Sequence, residues 1–110
     1  MLKKENRLTT KEFDLVFKEG KKFFSKNFMF MKIEDKDSLK ISTTVSKKIY
    51  KTAVKRNEAR RKIYKILREN LEKIPQDFWA TLIMIKPILE IEKEILKKEI
   101  FWLIDKSNKK

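Results

Sequence analysis

A basic run beginning at Lys47 flows into apolar residues at helical spacing. At about 100° per residue, Ala59, Ile63, Ile66, Leu67, Leu71 and Ile74 fall within one stripe about 140° wide, which predicts a long helix laid on a core. A shorter helix precedes it: Thr9 is the N-cap, Glu12 stands three residues on as in a capping box, Leu8 and Phe13 occupy staple positions, and Gly20 closes the helix as its C′ residue. From Lys21 to Glu34 the period changes to two, with Phe28 and Phe30 on one face and Met29, Met31 and Ile33 on the other, predicting a central strand covered on both sides. A polar turn, Glu34 to Ser38, leads to Leu39–Val45, in which Ser42 and Thr44 face away from Ile41, Thr43 and Val45, so these two strands are expected to pair as an antiparallel hairpin.

Beyond the long helix, Pro75-Gln76-Asp77 breaks the pattern, and residues 78–85 form an apolar strand closed by Lys86-Pro87. Strand, helix, strand in that order predicts a parallel pair joined by a crossover. A last helix is expected from Ile88 to Ile104, with Ile88, Ile91, Ile95 and Trp102 on its buried stripe, widened by Leu96 and Leu103. Residues 106–110 read as a short frayed basic tail. The fold class is therefore α+β in the order α-β-β-α-β-α, one domain over residues 1–110.

Composition narrows the partners. The 110 residues, 41% hydrophobic with 8 Phe and 2 Trp, suit a single core. A net charge of +13 points to a polyanion, nucleic acid or anionic membrane. No apolar run reaches the roughly 20 residues that span a bilayer, and the start of the chain lacks a secretory apolar segment, so a cytoplasmic protein is expected. Cysteine is absent, excluding disulfides and thiolate metal sites; histidine is absent too, removing the commonest general base.

The charge is not spread evenly. Beside the apolar stripe of the long helix, Asn57, Arg60, Arg61, Tyr64 and Arg68 project together over about 100° with no acidic residue among them. Glu58, Lys62, Lys65 and Glu69 take the third face, where Glu58 can pair with Lys62 and Lys65 with Glu69. A merely solvated face mixes signs as this third face does, whereas arginines without carboxylates are arranged for phosphate. Two acidic sets, Glu34, Asp35 and Asp37 and again Glu90, Glu92 and Glu94, have side chains that can in principle hold Mg2+; the first is an ordinary polar turn and the second an ordinary helix opening. RNA binding is thus expected, without catalytic residues in the protein.

The order Val45-Ser46-Lys47-Lys48, a spacer, then Ala53-Val54-Lys55-Arg56-Asn57-Glu58-Ala59-Arg60-Arg61-Lys62-Ile63 resembles the signature of the bacterial ribonuclease P protein subunit. Asn6-Arg7-Leu8, Phe13 and Phe17 before Gly20, and Lys86-Pro87 extend the resemblance over nearly the whole chain. Two positions depart from the pattern: Glu58 reverses the charge of the third member of an Arg-Asn-Arg core, and Tyr50-Lys51 replaces a spacer glycine. The resemblance implies a mostly antiparallel sheet with one parallel pair, its crossover left-handed. It implies an endoribonuclease subunit that assists a catalytic RNA, with Mg2+ bound mainly by that RNA, in removing the 5′ leader of precursor tRNA. Lys47, Lys48, Arg56, Asn57, Arg60, Arg61 and Arg68 would meet the ribonuclease P RNA, and Phe13, Phe17 and Met31 would line a cleft for the single-stranded leader. A monomer in a 1:1 ribonucleoprotein is expected. Spacing alone equally allows Phe13 and Phe17 to be core, and Met31 either packs or offers a polarisable surface to a base. The competing function is a ribosomal or other structured-RNA-binding protein with no role in tRNA processing; a protein nuclease or a membrane-surface helix is a weaker rival.

Overall fold

A computed structural model describes residues 3–108. After a 3-10 turn at Lys4–Asn6 come α1 (Thr10–Glu19), β1 (Lys21–Phe24), β2 (Phe28–Glu34), β3 (Lys40–Val45), α2 (Ala53–Glu69), β4 (Phe78–Met84) and α3 (Lys93–Asn108). The α+β class holds, but two strand expectations do not. Residues 21–34 are a hairpin rather than one strand, turning at Ser25-Lys26-Asn27, with Phe24 opposite Met29 and Lys21 opposite Lys32. Nor do β2 and β3 pair: the order is β1-β2-β4-β3, with β4 antiparallel to β2 and parallel to β3.

The reason lies in the side chains. β4 is apolar on both faces, and Phe78, Ala80, Thr81, Leu82 and Met84 are all buried, so it belongs in the middle; β3, with Lys40, Ser42 and Thr44 on one face, tolerates an edge. Residues 35–39 reach up to about 17 Å, enough to step over one intervening strand at about 4.8 Å per spacing. Asp35 makes the required left-handed turn, at φ 63°.

One face of the sheet is sealed. Phe28, Phe30, Ile41, Val45, Phe78, Ala80, Leu82 and Met84 pack beneath α2 and α3, against Ala59, Ile63, Ile66 and Leu67 from α2 and Leu96, Ile100, Leu103 and Ile104 from α3. The predicted α2 stripe is therefore the core stripe, although Leu71 and Ile74 lie beyond the helix end. The buried stripe of α3 differs from the expected one. Ile88 is buried in the loop before the helix, while Ile95 and Trp102 are 54% and 50% exposed. Residues 106–108, expected to fray, continue the helix: Ser107 is buried, its hydroxyl donates to the Ile104 carbonyl at 2.7 Å and accepts from Lys32 Nζ at 3.1 Å. The rest of that tail, Lys109 and Lys110, lies outside the described residues.

α1 crosses the opposite face over β2 and β4. Its capping box is present in both directions, Thr9 N–H to Glu12 Oε1 at 2.8 Å and Glu12 N–H to Thr9 Oγ1 at 3.2 Å. Gly20 has φ −70° and is not a left-handed cap. Its role is close approach: a Cβ there would stand 2.5 Å from the Val16 carbonyl and 3.1 Å from the Lys32 amide.

Candidate nucleic-acid interface

α2 starts at Thr52, whose hydroxyl accepts from the Lys55 amide, and its core stripe fixes which way the neighbouring flank points. Asn57, Arg60, Arg61, Tyr64, Lys65 and Arg68 line one groove of about 510 Å3, and no carboxylate is among them. The side chain of Arg60 contacts Asn57 Oδ1. Among the described residues, ion pairs join Lys32 to Glu34, Lys40 to Glu12 and Lys93 to Glu69, none of them to Arg60, Arg61 or Arg68. At the far end of the groove the Glu69 carboxyl, held below its ordinary range first by the Lys93 hydrogen bond, also feels the charges of Lys65 and Arg68. Tyr64, placed with them by periodicity, is only 7% exposed; its hydroxyl accepts the Thr43 amide at 3.1 Å, and its ring floors the groove.

The remaining predicted RNA ligands are arranged differently. Lys47 and Lys48 are exposed in the turn between β3 and α2, outside that groove. Arg56 braces this loop, one guanidinium nitrogen donating at 2.9 Å to both the Tyr50 and the Lys51 carbonyls. Tyr50 replaces the spacer glycine with a tie of its own: its hydroxyl accepts the amides of Ile88 and Leu89, both at 3.0 Å. The expected pairs along the third face of α2 do not form. Lys62 instead donates to the Leu89 and Ile91 carbonyls at 3.0 and 2.6 Å, and Glu69 pairs with Lys93.

The aromatic cleft needs a correction at one residue. Phe13 and Phe17 lie side by side, ring centroids 6.0 Å apart, and Phe17 is 48% exposed. Met31 is fully buried with Val16 and Thr81, in the row that α1 covers, and cannot offer its sulfur to a base. The register puts a different row beside it. Phe24, Met29, Ile83 and Thr44 are cross-strand partners on the α1 face, and all remain at least partly accessible, Phe24 at 55%. α1 thus covers the Met31 row and leaves the rows on either side of it, Phe24-Met29-Ile83-Thr44 and Ile33-Trp79-Lys40, partly accessible. Period-two alternation already put Met29 and Met31 on one face; which of them α1 would cover was not legible.

Carbonyls and amides around the site are held tightly elsewhere. Glu99 of α3 accepts from the Asn27 amide and side chain, both at 2.7 Å, and from the Ser25 hydroxyl, fixing the β1–β2 turn that carries Phe24. The Glu12 carboxyl sits below its usual range: burial pushes it up, but hydrogen bonds from Lys40 and Thr9 pull it down further. Among the described residues no group of three or more acidic side chains is placed to hold a metal ion. None of the described helices is long and apolar enough to cross a membrane.

A mixed sheet that carries an arginine-rich groove without a carboxylate in its lining on one helix, and accessible apolar side chains including Phe17 and Phe24 on its other face, is the architecture of a small RNA-binding protein. The comparisons specify which. The chain matches the Ribonuclease P family over residues 2–108 and belongs to it. It is 35% identical over 109 residues to the ribonuclease P protein component of Bacillus pumilus, covering 96% of this chain and 91% of the relative. With that of Finegoldia magna it shares 30% over 101 residues, 91% of this chain and 88% of the relative. The fold agrees with the RNase P protein from Thermotoga maritima at a TM-score of 0.80 and 24% identity, covering 91% of this chain and 96% of that one. The family is the RNA-binding protein component of a ribonucleoprotein endoribonuclease of tRNA processing. Nothing in these matches favours a ribosomal or other structured-RNA-binding protein.

Proposed function

We propose that the chain acts in the cytoplasm as a monomeric protein subunit of ribonuclease P, holding the RNA subunit on the α2 flank and the 5′ leader of precursor tRNA in the open row beside α1. The observation that carries this reading is the groove of Arg60, Arg61, Lys65 and Arg68 without a carboxylate in its lining. Guanidiniums gathered on one low wall repel one another unless an anion sits between them, and RNA backbone supplies one phosphate per nucleotide. Lys47 and Lys48 would extend that contact from the preceding turn, and Asn57 would meet the backbone one turn into the helix. Arg56 would act partly by keeping the loop in place.

For the leader, Phe17 with Phe13 beside it, and Phe24 and Met29 on the sheet, offer faces on which bases stack whatever their identity. A precursor has a leader to grip and a mature tRNA has none, so the protein would favour substrate over product. The acidic residues do not fit a protein-held Mg2+ site; the ion is proposed to reside mainly on the RNA subunit, which would do the cutting. The test is the salt dependence of binding to ribonuclease P RNA. Changing both Arg60 and Arg61 to Ala removes two phosphate contacts and is expected to lower the slope of log K against log salt by about 1.8. An unaltered slope would reject the α2 surface.

A further inference from the structure

The basic groove does not end at α2. Tyr64 is a wall shared with a second groove of about 270 Å3, whose other lining residues are Lys4, Arg7, Leu8, Thr9 and Ser42. No carboxylate lines this one either. At its other end the α2 groove meets the opposite environment, since beyond Arg68 the next hollow is lined by Glu69 and Glu72.

The second groove exists because β3 is an edge strand. Its outward polar groups are taken up by the N-terminal segment and by α2: Asn6 Nδ2 donates to the Leu39 carbonyl at 3.1 Å, Ser42 Oγ accepts the Leu8 amide at 3.1 Å, and Tyr64 accepts the Thr43 amide. A covered edge cannot add a strand. The cover is tied to β3 and the residue before it by the Asn6 and Leu8 hydrogen bonds, and Lys4 and Arg7 line the same hollow as Tyr64.

Resting on the RNA-binding reading above, we infer that the two grooves form one track for a single RNA backbone. It runs from Arg68 and Arg61 along α2, over the edge of the Tyr64 ring, to Lys4 and Arg7 at the N-terminal segment. Its polarity is set by charge: cations continue toward the N-terminus, and acids stop the track past Arg68. Lys4 and Arg7 are then RNA ligands in addition to the α2 residues, and the loop-like N-terminal segment is part of the binding surface.

Lys4 is exposed, so its removal leaves the fold alone. Lys4→Ala is expected to lower the salt slope for ribonuclease P RNA by about 1 with an unchanged melting temperature, while Lys98→Ala, exposed on α3 and outside both grooves, leaves the slope as it was. An unchanged slope for Lys4→Ala, or an equal fall for Lys98→Ala, overturns the track and leaves the α2 surface standing. If changing Arg60 and Arg61 also has no effect, the underlying reading fails with it. Continuity has its own measurement: photo-cross-linkers attached through Lys4→Cys and Arg61→Cys should label one stretch of one RNA strand. Labels on separate, distant segments overturn the single track.

Discussion

The two faces of the sheet are built from the same strands and do opposite work. On the face under α2 and α3, every large apolar side chain of β2 and β4 is sealed, so that face holds the stability of the domain. On the other, the row of Met31 and Thr81 is buried, and the neighbouring row of Phe24, Met29, Ile83 and Thr44 stays at least partly accessible. One helix too few on a sheet is how a small domain exposes aromatic surface while keeping a dry core. The cost of the open row is modest, because its side chains still lean on their cross-strand neighbours.

Substitutions on the two faces should therefore separate stability from binding. Phe30→Ala, in the sealed core and edge-on to Phe78, should have the largest effect, about 3–5 kcal/mol of unfolding free energy in a denaturant melt. Met31→Ala and Met29→Ala, two residues apart on one strand, sharpen the contrast. The first should cost about 2–5 kcal/mol of stability. The second should cost well under that, and should show itself as weaker precursor tRNA binding to the reconstituted holoenzyme. Equal melting losses for the pair would mean that the row beside α1 is closed.

Phe17→Ala comes next. With half of its surface already in solvent, it should weaken precursor tRNA binding by about 1–3 kcal/mol, leave mature tRNA unaffected and barely change the melt. Equal weakening of both tRNAs would place Phe17 in the framework rather than the cleft. The smallest effect concerns the start of α1. Because the folded-state Glu12 carboxyl titrates below its ordinary range, its ionised form contributes stability that is present above that range and lost as pH falls through the lowered value. Glu12→Gln keeps a capping side chain but loses the charge facing Lys40, so it should flatten that acid-side decline slightly in melts taken across the carboxylate range.

How much of this was legible varies with how local the cause is. The capping box at Thr9 and Glu12 is written within four residues and appears as expected. The α2 stripe and its arginine flank follow from helical periodicity, which one helix settles by itself. The α3 stripe is not local in this sense: Ile88 and Ile91 share a helical phase with Ile95 and Trp102 in the sequence but precede the helix, so that phase does not give its buried face. Lys62 looked like half of a surface pair because the carbonyls of Leu89 and Ile91 are 27 and 29 positions away.

The amino-acid order by itself determined the kinds of element, the alternation that gives each strand two faces, and the cations gathered along α2, because each depends on neighbours a few residues apart. Only the folded chain decided that β4 enters between β2 and β3, that α1 shuts over Met31 and leaves Met29 open, and that Tyr64 closes the edge of β3 between two basic grooves. Those outcomes depend on which distant surfaces compete for burial, a choice made by the whole core at once and by no single segment.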